Sequence, residues 1–295
     1  MPIRTESFGM RLCLRLGLER VAWNLRRLHC PVSAEALVLE VGSGGNPYPR
    51  ADVLLDAYED TQERQWAPLK SDRPTVLGFV ENLPFRDQAF DFVIASHVLE
   101  HSAEPERFLA ELQRVAKAGY IEVPDALVER LEPYCDHRLE ITSRSGKLII
   151  RKKPAAVVDP QLVDLYRAMG HLGREAFSRH PFAFHVRHHW EGSINYEVVN
   201  PEVDAHWPSG LMAPEAGADD GLRHRVRNWI RDTLRWLGRP SGRRQRNLDL
   251  WALLRCPACQ GTDLSHAAEQ IRCRGCGQTY AVRNGLPVMQ PASDA

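Results

Sequence analysis

The 295-residue sequence lacks any stretch approaching the roughly eighteen consecutive apolar residues needed to cross a bilayer, so none of it is expected to span a membrane. It lacks an excess of either charge: 38 Lys and Arg balance 38 Asp and Glu. No global field therefore draws it to nucleic acid or to a lipid surface, and any such attraction must be local. The N-terminal region has no clean apolar core and no small-residue cleavage site, and Arg4, Arg11, Arg15 and Arg20 interrupt it, so no secretory leader is expected. No internal repeat is visible. Cysteine is scarce, with seven residues, and three of them (Cys13, Cys30, Cys135) have no evident partner. That remainder points to a reducing compartment, and a cytoplasmic location is expected.

The other four cysteines form a pattern. Cys256-Pro-Ala-Cys259 and Cys273-Arg-Gly-Cys276 are two hooks separated by thirteen residues, a spacing that suits a tetrahedral four-thiolate zinc site. Two disulfides or four free thiols are the alternatives. With every ligand supplied by protein, such a site is structural and leaves no position for a substrate. Gly261, Gly275 and Gly277 let backbone groups approach the sulfurs.

Apolar residues recur at helical spacing from about residue 9 to 29 (Leu12, Leu16, Val21, Leu25, Leu28), predicting an amphipathic helix over 1–30. Buried strands are expected at 36–41, 52–56, 75–80, 90–96 and 119–123, with a helix over 104–116 and an irregular crossover over 57–74. Strands alternating with helices predict a doubly wound, mostly parallel α/β sheet over 31–200. From about 126 the pattern turns to hairpins, at 139–151 around Ser-Arg-Ser-Gly and at 188–198 around Glu-Gly-Ser. Residues 201–247 read as a linker, unperiodic to about 220, followed by a basic amphipathic helix. The zinc-binding module occupies 248–292.

Val38-Leu39-Glu40-Val41-Gly42-Ser43-Gly44-Gly45-Asn46-Pro47 is a strand entering a glycine turn, where the backbone can come close to a ligand. Asp56, ending the next strand, is placed to accept hydrogen bonds from ribose hydroxyls. These residues, with Glu81-Asn82-Leu83-Pro84-Phe85-Arg86-Asp87, Phe90 to His101, and Phe108 to Val115, strongly resemble the class I S-adenosylmethionine (SAM) methyltransferases over about residues 36–125. The resemblance implies a Rossmann-like fold. It also implies that Glu40, Gly42, Ser43 and Gly44 contact the methionine part of SAM, Asp56 the ribose, and the region of Phe79, Val80 and Glu81 the adenine, with Ser96 completing the site. Phe79 stands where the family often has an acid for the adenine amino group. Glu81 replaces that acid, or stacking and backbone contacts do.

Methyl transfer asks the protein to align a nucleophile behind the sulfonium methyl and, for an alcohol, to remove a proton. Candidate bases are His97, Glu100, His101, Asp125 and His137. At helical spacing His97, Glu100 and His101 share one face, where they could instead hold a divalent ion. That stretch is similar to the Glu-x-x-Glu-His metal site of ubiquinone-pathway and small-RNA O-methyltransferases. No Asn/Asp-Pro-Pro-Tyr/Phe follows the fourth strand, which disfavours amine and amide acceptors. No Pro-Cys nucleophile occurs either, so an oxygen acceptor is favoured by elimination.

The segment Leu253 to Cys259, the second hook and Tyr280 to Met289 resemble the small zinc-binding activator subunit of tRNA, rRNA and release-factor methyltransferases. The resemblance implies that the module docks in cis on a sheet edge, and that the acceptor is an RNA or a translation factor. A small-molecule, lipid or glycan O-methyltransferase is the rival reading, and a SAM-binding scaffold without turnover is the third. Between Leu222 and Arg246 nine arginines face one acid, Asp232. This helix could pack on its own protein, meet RNA phosphates, or lie on a membrane surface through Trp229 and Trp236.

Overall fold

A computed structural model describes residues 4–61, 68–156, 158–207 and 248–290. Most of the expected linker and the whole basic helix fall outside them. The described part of the expected linker, 201–207, is packed rather than extended: Ala205 is buried, and Arg138 donates to the Ala205 and Trp207 carbonyls at 2.6 and 2.7 Å. No helix among the described residues is long and apolar enough to cross a membrane.

The central sheet has six strands in the order β3-β2-β1-β4-β5-β8. They are β1 (Val38–Val41), β2 (Val53–Asp56), β3 (Thr75–Leu77), β4 (Phe90–Ser96), β5 (Ala116–Pro124) and β8 (His185–Glu191). β1 pairs β2 and β2 pairs β3 in parallel. β1, β2 and β3 are buried at every position, which is why they read as largely apolar runs, interrupted only by Glu40, Asp56 and Thr75, rather than as alternating ones. The helix α3 (Pro105–Val115) precedes β5 directly, and Phe108, Leu109, Leu112 and Val115 are its buried stripe. Between β2 and β3 the described residues hold no helix.

The described chain divides into two compact units. The first comprises residues 4–31, 95–106 and 120–207, the second 32–94, 107–119 and 248–290.

In the first unit the expected N-terminal helix is two, α1 (Phe8–Arg15) and α2 (Glu19–Leu25), because Gly17 takes φ +71° and turns the chain. Met10 and Ala22 are its buried contacts, while Leu12, Leu16 and Val21 stay exposed. The hairpin of β6 (Leu139–Arg144) and β7 (Lys147–Lys152) forms as expected, with Ser145 and Gly146 both at positive φ in its turn. The second expected hairpin does not form. Gly192 (φ +73°) makes the reversal so tight that Ser193 N–H bonds Glu191 C=O, and the chain separates. β8 joins the central sheet, whereas β9 (Tyr196–Val198) runs parallel to β7. The short helices α4 (Ala126–Leu131), α5 (Pro160–Ala168) and α6 (His171–Arg179) were not expected; Asp125 and Asp159 cap the first two.

In the second unit the cysteine-bearing segment begins with the one-turn helix α7 (Leu250–Leu253). It then forms a sheet ordered β10-β11-β12-β13, at Leu264–His266, Gln270–Cys273, Thr279–Arg283 and Leu286–Pro287. This segment extends the edge of β3. Val288 bridges Leu77 in parallel, and Met289 N–H donates to Leu77 C=O at 2.7 Å. Leu254 bridges Phe85, Arg86 N–H reaches Leu253 C=O at 2.9 Å, and Arg255 N–H reaches Pro84 C=O at 3.0 Å. Arg114 holds the receiving loop through the carbonyls of Leu83 and Phe85 and the carboxylates of Asp87 and Glu111.

Candidate functional site

The glycine loop belongs to the second unit. Gly42 (φ +61°) and Gly44 (φ +54°) occupy the left-handed region, where a side chain would be strained. Both flanking acids are buried and turned into this loop. Glu40 accepts from Tyr48 N–H at 2.6 Å. Asp56 accepts from Gly44 N–H at 2.8 Å and Tyr58 N–H at 3.3 Å. A carboxylate can accept several bonds at once, so Asp56 can organise the loop and still receive a ribose hydroxyl. Among the described residues Ser43 Oγ is buried with no hydrogen-bond partner. Val80 and Glu81 lie in the single 3-10 turn Val80–Asn82. Beside it Phe79 meets Tyr58 edge to face, with ring centroids 6.0 Å apart. Sequence reasoning missed Tyr58, although its place two residues after Asp56 was the available signal.

The histidines lie in the first unit. His97 is not on a helix face with Glu100 and His101, as its spacing suggested. It directly follows β4 in the left-handed region (φ +58°), and the turn after it, Leu99–His101, is 3-10. The tight reversal aims His97 between two carboxylates: Nδ1 lies 3.4 Å from Glu100 and Nε2 lies 3.5 Å from Glu122. Desolvation opposes protonation of the ring, but the bonds and charges of Glu100 and Glu122 outweigh it and raise its pKa to about 9. The side chain is 43% exposed, so solvent screening reduces that shift without changing its sign. At neutral pH His97 carries its proton, so it is a poor general base.

Glu122 anchors this corner. Its side chain is fully buried in β5, and Arg26 clasps both carboxylate oxygens at 2.7 Å. Tyr120 Oη and, at 3.2 Å, Ser96 Oγ also donate to it. An acid inside Tyr120-Ile121-Glu122-Val123 signals a buried partner, but only the tertiary structure shows that Arg26, in the 3-10 turn directly after α2, supplies it. Asp125 is committed to structure: it caps α4 at Leu127 N–H and accepts from Thr142 Oγ1 at 2.6 Å.

A cleft of about 430 Å³ in the same unit is lined by Arg20, Trp23, Tyr166, Phe177 and His185 among others. His185 contacts both Trp23 and His97, with ring centroids 4.7 and 5.6 Å apart. Burial pushes the pKa values of His185 and His188 down and that of His189 to about 3, so these strand histidines are neutral.

The four cysteines of the second unit converge. Cys256 and Cys276 sulfurs are 3.7 Å apart, and those of Cys259 and Cys273 are 3.5 Å apart. Thiolates about 2.3 Å from one tetrahedral zinc would sit roughly 3.8 Å apart, so the set fits that ion. A Cβ at Gly261 would lie 3.2 Å from the Cys259 sulfur, which explains the glycine.

A family profile described as a methyltransferase domain matches residues 39–121. Over those residues the chain is similar to a methyltransferase domain. An uncharacterized protein of Methanocaldococcus jannaschii is 28% identical over 81 residues, which is 28% of this chain and 40% of that relative. The chain thus spans well under two thirds of the curated relative it matches. A SAM-dependent methyltransferase of Thermotoga maritima is 20% identical over 40% of this chain and 58% of its own, at a TM-score of 0.30. A complex of the Haloferax volcanii Trm112 methyltransferase activator with a methyltransferase aligns at 21% identity over 48% and 78%, at a TM-score of 0.29.

Proposed function

We propose that this protein is a SAM-dependent methyltransferase acting on an oxygen nucleophile, with a structural zinc in its C-terminal module. The observation that carries the reading is the glycine loop with Glu40 and Asp56 buried against its amides and Ser43 Oγ unsatisfied beside them. Tyr58 and Phe79 supply aromatic faces for adenine where an acid is missing. SAM supplies an electrophilic methyl group on a sulfonium. The chain's own task is to bind it, orient the acceptor hydroxyl and receive one proton.

The aromatic cleft favours a small organic acceptor, since its volume lies in the range of small-molecule pockets. The activator-like module supports the second reading, an RNA or translation factor. Incubating the protein with methyl-labelled SAM and a cell extract separates them: label in the small-molecule fraction supports the first, label in RNA or protein the second. No SAM turnover in any fraction would leave a binding scaffold.

Asp56→Ala should weaken SAM binding about 10- to 150-fold, equivalent to roughly 1.5–3 kcal/mol for a hydrogen bond to a charged group. Calorimetry giving wild-type affinity would remove Asp56 from the ribose site.

A further inference from the structure

In the first unit Glu100, His101 and His137 come together although the last two are 36 positions apart in the chain. One ligand atom from each lies within 4.8 Å of the others. Arg138 N–H donates to Glu100 C=O at 2.7 Å, which pins the segment bearing His137 to the turn bearing the other two.

Each group is set up for a cation. Glu100 is 2% exposed, and among the described residues neither carboxylate oxygen has a well-formed hydrogen bond; His97 Nδ1 lies 3.4 Å from one of them. Among the described residues His101 Nδ1 is buried without a hydrogen bond, 3.7 Å from Asp136. His137 Nδ1 is bonded to buried Glu129 at 2.6 Å, leaving Nε2 as the coordinating nitrogen. Glu129 is itself fixed by Lys153 Nζ at 2.7 Å. An imidazole oriented by a second carboxylate is how metal-binding histidines are usually held. With His97 near only one of its oxygens, the buried Glu100 carboxylate keeps lone pairs open to an ion, which would offset the remaining cost of its burial.

We propose that Glu100, His101 and His137 bind a divalent transition-metal ion. Two imidazoles and one carboxylate suit zinc, iron, cobalt or manganese rather than magnesium or calcium. An ion about 2.1 Å from each ligand would draw the three atoms to roughly 3 Å from one another, a change reached by side-chain rotation. His97 stays outside the set, because its ring bridges Glu100 and Glu122. Three protein ligands leave positions for an exogenous oxygen.

The test is a titration of the full chain, its four-cysteine site already filled with zinc, with cobalt(II). One further equivalent is expected, with visible bands of nitrogen and oxygen ligation and no sulfur charge transfer. Glu100→Gln and His137→Ala should each weaken it at least ~100-fold, and Glu129→Gln about 10-fold. His97→Ala should keep the equivalent. No cobalt bound by the wild type overturns the proposal whatever the variants do. So does wild-type affinity in Glu100→Gln and His137→Ala, or a loss in His97→Ala as large as in Glu100→Gln. Circular dichroism checks that each variant is folded. Because the readout is metal binding, its failure leaves the SAM reading to the calorimetry above.

Discussion

Cys256→Ser is expected to cost the protein its zinc and, with it, the covered edge of β3. In small zinc-dependent modules, metal binding is coupled to folding and contributes about 10–16 kcal/mol. The hydrophobic core of β10 to β13 is too small to replace it. Ile271, Cys273 and Tyr280 are buried, but most of the remaining module side chains are not. Once the module unfolds, Leu254 and Met289, both fully buried, lose their contacts. Those two side chains alone represent roughly 3–6 kcal/mol. At about 2–4 °C per kcal/mol for a chain of this size, the melting temperature should fall by about 10 °C or more. Arg255 would also leave Asp87 and Glu111, 3.2 and 3.6 Å away. Chelation of the wild-type zinc should reproduce the loss. A chain truncated after residue 207 that stayed monomeric and melted like the full protein would show that the module is an independent appendage.

Arg26→Ala should destabilise the protein by about 3–5 kcal/mol, because it leaves Glu122 charged and buried without its main partner. Burial by itself pushes the Glu122 pKa up, but Arg26 first and then His97 reverse this and hold it well below 4.5. A depressed folded-state pKa contributes stability that is fully present above about 4.5 and fades as the pH falls through the folded value. In Arg26→Ala the carboxyl protonates more readily, so acid relieves the defect. The gap in melting temperature between wild type and variant should therefore be wide near pH ~6 and narrow near pH ~3.5. The double variant Arg26→Ala, Glu122→Gln should recover part of the loss. An equal gap at both pH values would mean that the defect is lost packing of Arg26 over Trp23, 3.5 Å from its ring centroid, rather than an unpaired buried charge.

Several features were legible because they depend on local chemistry. Largely apolar runs marked β1, β2 and β4, since strands buried on both faces need no polar side. Ser145-Gly146 marked its hairpin through the positive φ that the turn requires. The same logic misled at Glu191-Gly192-Ser193, where the turn is right but the flanking strands find different partners. Hydrophobic periodicity placed the N-terminal helix and missed its break, because Gly17 changes direction without interrupting the apolar pattern.

The sequence by itself determined the parallel α/β class, the glycine loop with its two acids, and the four cysteines, because each is written in residues close in the chain. Spacing alone wrongly put His97, Glu100 and His101 on one helical face; the left-handed turn at His97 directs its ring to Glu122, while His137 comes from another element to join the other two. Only the tertiary structure decided that Arg26 answers the acid in β5 and that the cysteine module finishes the edge of β3. These pairings join residues far apart in sequence. They form because a buried charge and an open strand edge each require a partner, and neither requirement says where along the chain that partner lies.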